Sequence, residues 1–119
     1  MTILRCVSIL ILLAAFPAAA APLCTDDPEA APYVRALCEY NEGRFKAAEV
    51  VFRAIVEKDE HRPETLKSRY FLARALMKQK RWQEASSEWI KIYSISPAFY
   101  KEWSCDFLLG ECRRALGLD

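Results

Sequence analysis

The residues that could do chemistry are few and widely spaced in this chain. It has one histidine, His61, and five cysteines. Zinc sites need C-x2-C or H-x3-H pairs, redox sites need a C-x-x-C pair, and phosphate sites need a glycine-rich loop. None of these patterns occurs in the sequence. The sequence therefore predicts a non-enzymatic protein with no catalytic residues, cofactor or metal, and it places His61 in a solvated turn beside Arg62.

The first twenty residues have the three parts of a secretory signal peptide. Arg5 precedes an apolar run over residues 7–16, and Ala18 and Ala20 provide the small residues of a cleavage site. The run is too short for a membrane span, which needs about 20 residues. We expect removal of residues 1–20, cleavage after Ala20, and a mature protein in the periplasm or secreted, without membrane insertion.

Export would place the remaining cysteines in an oxidising compartment. We expect Cys24, in an N-terminal arm over residues 21–31, to pair with Cys38 and hold the arm as a cap on the first helix. Cys105 and Cys112 would lie about 10.5 Å apart on a continuous helix, whereas a disulfide needs Cα atoms within roughly 7 Å. A bond between them requires a helix break near Cys105, and the sequence leaves that pairing open. Free cysteines that serve as small core residues are the alternative.

Charge is nearly balanced over the chain, with 17 basic and 16 acidic residues, so that no general attraction to nucleic acid is expected. Between Glu64 and Glu84, however, every charge is positive. The basic residues of this interval are Lys67, Arg69, Arg74, Lys78, Lys80 and Arg81. Three of them share a helical stripe, which is either a site for an acidic segment or a solvated helix face.

Apolar residues recur at helical spacing from residue 33 onward, which predicts an all-α domain over residues 32–119. Turns are indicated at residues 41–44, 59–63 and 80–81. Ser96 and Pro97 have the residue types of an N-cap and a first-turn proline. They predict a last helix that runs from there toward Leu116.

Two of these helical segments repeat at an offset of 37 residues. The aligned residues are Phe45, Ala48 and Phe52 in the first copy, and Trp82, Ala85 and Trp89 in the second. The pattern resembles the tetratricopeptide repeat (TPR), whose second helix has an alanine and an aromatic residue at this spacing. The resemblance implies antiparallel helical hairpins, two repeats plus a C-terminal capping helix, in a short right-handed solenoid. Residues 70–117, about half of the chain that follows the signal peptide, resemble the periplasmic TPR domain of the Tol-Pal accessory protein and, more loosely, the repeat scaffold of the outer-membrane barrel assembly lipoprotein.

In TPR arrays the first helix of each pair lines a concave groove that binds peptides or helices. The resemblance implies a partner-binding groove lined by Tyr33, Leu37, Tyr40, Asn41, Lys67, Tyr70, Arg74, Met77 and Lys78. We expect Tyr40 and Tyr70 to be apolar anchors and Arg74 to hold a carboxylate of a protein or peptide partner. The predicted function is that of an adaptor or scaffold in the cell envelope. The alternative is a small structural subunit that docks its apolar C-terminal helix on a larger envelope complex.

Overall fold

The computed structural model describes residues 30–118, and this part of the chain is built from α-helices without a strand. The helices are α1 (Pro32–Asn41), α2 (Phe45–Lys58), α3 (Leu66–Lys78), α4 (Trp82–Ile95), α5 (Pro97–Glu102) and α6 (Cys105–Ala115). One turn of 3-10 helix at Pro63–Thr65 leads into α3. The all-α class is confirmed. The predicted signal peptide and most of the predicted arm, including Cys24, lie outside the described residues.

Each helix packs mainly on the next one along the chain. The pairs α1–α2 and α3–α4 form two hairpins, α2 packs on α3, and α4 packs on both α5 and α6. This succession of neighbouring contacts is that of a TPR-like solenoid.

Small residues occupy the predicted crossing positions of the two hairpins. Ala48 and Ala85 are completely buried, as expected for the crossing positions of the two hairpins. Phe52 and Trp89 are completely buried beside them and fill the remaining space in the core.

The turns inside the two hairpins have the same backbone conformation. Gly43 has a φ of 82°, and Lys80, which is 37 residues further along, has a φ of 62°. A residue in this left-handed region ends a helix and reverses the chain, and glycine adopts it with the least strain. The second hairpin therefore makes with lysine the turn that the first makes with glycine.

The predicted last helix is wrong in one respect, because it is broken into α5 and α6. Ser96 does cap α5, and its hydroxyl accepts a 3.1 Å hydrogen bond from the Phe99 amide. The chain then turns at Ser104, whose φ is 53°. The break places the Trp103 ring 4.9 Å from the Tyr70 ring. Packing against α3 therefore decides where the helix ends.

The break does not join the two cysteines that follow it. Cys105 is the first residue of α6 and Cys112 lies on the same helix, and both are buried free thiols. The second bridge that the sequence leaves open is thus absent, since both residues lie on one helix, about 10.5 Å apart. Burial raises the pKa of Cys105 to about 11. Cys38 is disulfide-bonded, and its predicted pairing with Cys24 stays a prediction.

Candidate functional site: a groove between α3 and α6

A groove of about 580 Å³ lies between α3 and α6. It is lined by Arg74, Met77 and Lys78 of α3, by Trp82 of α4, and by Phe107, Leu108, Glu111, Arg114 and Ala115 of α6. Apolar and charged side chains alternate around it, and the Phe107 ring is 62% exposed. The groove therefore offers apolar contact and positive charge at the same place.

Arg74 is the half-buried cation of this groove. Its Nη1 donates a 3.1 Å hydrogen bond to the Tyr70 hydroxyl, and its guanidinium carbon lies 5.8 Å from the centre of the Tyr70 ring. Burial is the largest single influence and lowers the pKa of Arg74, but the interactions of its guanidinium with the hydroxyls of Tyr70 and Tyr40 together outweigh burial and raise the pKa above its ordinary value. Arg74 stays charged, and one bond holds its planar fork of donors in position.

The groove has more positive than negative charge. Its carboxylate, Glu111, pairs with Arg114 on the same helix. Within residues 30–118, neither Arg74 nor Lys78 belongs to an ion pair. Two cations of the groove thus have no carboxylate partner among the described residues.

The predicted groove residues of α1 take part in packing instead of lining this groove. Tyr33 and Tyr40 are half-buried in an aromatic cluster, with ring centres 6.4 Å and 5.6 Å from that of Phe71. Leu37 is half-buried against the core, and Asn41 is exposed. The rings of Tyr33 and Tyr40 stabilise the junction of α1 with α3.

Tyr70 is buried, with only 8% of its surface exposed. The rings of Trp89 and Trp103 both pack against the Tyr70 ring, and its expected role as an apolar anchor for a partner stays a prediction. Lys67 is exposed, and its ammonium stands 5.9 Å from the centre of the Trp103 ring. Of the nine predicted residues, the groove thus brings together Arg74, Met77 and Lys78.

The continuous basic patch predicted between Glu64 and Glu84 does not form. Arg69 is buried in a 2.6 Å ion pair with Glu88, and its Nη2 also donates to the Glu60 carbonyl. Arg81 pairs at 2.5 Å with both Glu49 and Glu84. Glu88 and Glu49 lie far along the sequence from the arginines that they neutralise, so that Arg69 and Arg81 join separate helices.

Sequence reasoning missed the wall of the groove that α6 contributes. Phe107, Glu111 and Arg114 are spaced i, i+4 and i+7, which puts them on one face of a helix. That spacing was a usable signal. The prediction of one long last helix gave no reason to place this face opposite α3.

Two other surfaces expose apolar side chains. The outer face, defined here as Ile90, Tyr93, Tyr100 and Leu109, surrounds a hollow of about 200 Å³ between α4 and α6. The N-terminal flank surrounds a hollow of about 400 Å³ and is lined by Pro32, Arg35, Val50, Val51, Ala54, Ile55, Lys58 and Asp59. Val50 and Ile90 are equally exposed, at 57%.

His61 is exposed in the turn before α3. Residues 30–118 contain no cluster of three or more His, Cys, Asp or Glu side chains that could hold a metal ion. In the same part of the chain, no helix combines the length and the apolar character that a membrane crossing requires.

Comparison with known protein families decides what kind of repeat this is. Residues 14–90 match the family model described as anaphase-promoting complex, cyclosome, subunit 3. The chain belongs to this family of TPR-like repeat proteins. No curated protein and no solved structure matches the chain. TPR-like families are generally non-enzymatic scaffolds for protein–protein interaction. The two hairpins with their buried alanines agree with this repeat architecture.

Proposed function

We propose that this protein is a non-enzymatic TPR adaptor of the cell envelope that binds an acidic, amphipathic segment of a partner protein in the groove between α3 and α6. The observation that carries the proposal is Arg74. It is a half-buried guanidinium held by the Tyr70 hydroxyl and without an ion-pair partner among the described residues. A carboxylate of the partner would pair with Arg74 through two parallel hydrogen bonds.

The apolar side chains of the groove indicate which residues the partner segment has beside its carboxylate. Met77, Trp82 and Phe107 form apolar walls beside the cation. Aromatic side chains that are exposed next to an arginine are the usual centre of a protein interface. The segment therefore has an apolar residue near its carboxylate.

The envelope location is part of the same proposal and rests on residues 1–20. Mass spectrometry of the protein from its native host should find a chain that begins near Ala21 and carries no lipid. A mature pool that keeps Met1 would contradict export.

Site-specific photocrosslinking in the native host tests the groove. A photoreactive residue at Phe107 is expected to capture a partner, and one at Ile90 serves as the control, because the two side chains are 62% and 57% exposed on different faces. Arg74→Glu should abolish the Phe107 adduct. Arg113→Glu should preserve it, since Arg113 is exposed and shows no ion pair within the described chain. Raised salt should weaken capture as it screens the charge pair.

Arg53 would be a poor control for Arg74 in these experiments. Its guanidinium donates a 3.1 Å hydrogen bond to the buried carboxylate of Glu49. Arg53→Glu would place two carboxylates together and destabilise the fold, so that lost binding would have no clear meaning.

The second candidate function is a structural subunit that docks through the outer face. It is favoured by Ile90 and Tyr93, each more than half exposed beside Leu109. If capture occurs from Ile90 and is absent from Phe107, this second function replaces the adaptor.

A further inference from the structure

We propose that the N-terminal arm folds back over the N-terminal flank and caps it, with its acidic residues on Arg35 and Lys58. The flank is the side of the first hairpin that no helix of the described chain covers. The proposal concerns a surface away from the groove and is independent of the adaptor function.

The flank has an apolar floor with cations at its edge. Val50, Val51 and Ile55 form the floor, and Arg35 and Lys58 stand beside them. Neither cation takes part in an ion pair of residues 30–118, whereas the carboxylate of Asp59 is already paired with Arg62. An occupant with both apolar and acidic side chains fits this surface.

The arm has that composition. Asp26, Asp27 and Glu29 are its charged side chains, and Leu23 and Pro22 precede them. No basic residue occurs between residue 21 and Arg35. The arm and the flank are therefore complementary in charge.

The arm also joins the described chain directly beside the flank. The described chain begins at residue 30, next to Pro32, which is itself part of the flank. An extended chain spans about 3.3 Å per residue, so Asp26 lies within about 13 Å of residue 30. An attached segment acts at a millimolar effective concentration and competes with any free ligand for the surface.

Cys38 provides a second attachment for the arm. It lies on α1 and is disulfide-bonded, whereas Cys105 and Cys112 are free. From residue 31 to Cys38, α1 rises about 10.5 Å, and the seven residues between Cys24 and residue 31 span up to about 23 Å. The arm is thus long enough to cross the flank and still reach Cys38. Repeat solenoids need a cap on their terminal apolar face, and the arm meets that need here.

Hydroxyl-radical footprinting of the full chain tests this arrangement. Val50 and Ile90 are equally exposed on their helices, so that Ile90 is a matched control for Val50. The oxidation rate of each side chain is normalised to its rate in the denatured chain. We expect Val50 to be protected in the oxidised protein and Ile90 to react freely. Reduction with dithiothreitol, or the double substitution Asp26→Lys and Asp27→Lys, should remove the protection of Val50 without change in helix content by circular dichroism.

A charge swap makes the test independent of the disulfide. Adding Arg35→Glu and Lys58→Glu to the lysine-substituted arm should restore protection of Val50. Equal reactivity of Val50 and Ile90 in the oxidised wild type would overturn the proposal. So would protection that rises with protein concentration and accompanies dimers in light scattering, because a second copy would then cover the flank.

Discussion

The two hairpins share one sequence pattern and differ in how much of it they bury. In the first hairpin, α1 has a single buried residue, Ala36, whereas α3 of the second hairpin has eight. The crossing alanines are nevertheless buried to the same extent in both. The local pattern thus specifies the hairpin, and the number of neighbours in the array specifies the depth of its core. The second hairpin is the centre of the molecule because helices pack on both of its sides.

The buried ion pair of the second hairpin should show the largest effect. Glu88→Ala leaves Arg69 as an uncompensated charge that is 1% exposed, and should lower the free energy of unfolding by about 3–5 kcal/mol. Urea unfolding measures the loss. The first hairpin provides the comparison: its solvent-exposed pair of Arg44 and Glu39 should contribute far less when tested by Glu39→Ala, because water screens the two charges. Similar losses in the two variants would mean that Arg69 is solvated.

Glu49 connects the two hairpins and should make their joint stability depend on pH. Its carboxylate accepts hydrogen bonds from Gln79 at 3.0 Å and Arg53 at 3.1 Å, and it pairs with Arg81 at 2.5 Å. Burial by itself raises the pKa of Glu49, but these partners outweigh it and lower the pKa to about 2. The stabilisation is therefore complete above the unfolded pKa of about 4.3 and is lost as the pH falls toward 2.

Removing this charge should abolish that pH dependence. Glu49→Gln should cost about 1.5–3 kcal/mol at neutral pH and flatten the stability curve between pH 4 and 2 in thermal unfolding. The control is Glu57→Gln, on the exposed side of the same helix. If Glu57→Gln flattens the curve equally, the acid sensitivity does not come from the connection between the hairpins.

Replacing the crossing alanines by leucine should lower the stability by an amount that depends on how tightly each hairpin is packed. Ala85→Leu should overpack the central hairpin and cost about 1–3 kcal/mol. Ala48→Leu should cost less, because helices of the described chain confine the first hairpin on one side and the second hairpin on both sides. Gln83→Leu, at an exposed position of α4, should be nearly neutral. Equal losses for Gln83→Leu and Ala85→Leu in urea unfolding would show that the helix register is wrong.

The smallest effect concerns the matched turns. Lys80→Gly should stabilise the protein by about 0.5–1 kcal/mol, because it relieves a left-handed backbone at a residue with a side chain. Gly43→Ala should destabilise it by a similar amount or more, since it introduces the same strain. Melting temperatures that move in the same direction for the two variants would contradict the equivalence of the turns.

The hairpins, their turns and the crossing alanines could be predicted from the sequence because they depend on local spacing. The break at Ser104 could not, because it depends on Trp103 reaching Tyr70 from a distant part of the chain. The burial of Arg69 could not be predicted for the same reason, because the carboxylate that neutralises it lies 19 residues away on the next helix. Of the predicted site residues, Arg74, Met77 and Lys78 line one groove because they lie on one helix, and their role in binding stays a prediction. Site prediction failed where the opposite wall depended on how α6 folds back.

The hydrogen bonds and ion pairs of Glu49 also determine whether the two hairpins unfold together. They join α2 of the first hairpin to Gln79 and Arg81, which lie in the turn of the second. In a linear array, the free energy of the contact between neighbouring repeats decides whether one repeat can unfold while the other stays folded. A buried carboxylate shared by both hairpins makes the half-folded chain costly. We therefore expect a single cooperative transition at neutral pH, and two separable transitions once that carboxylate is protonated.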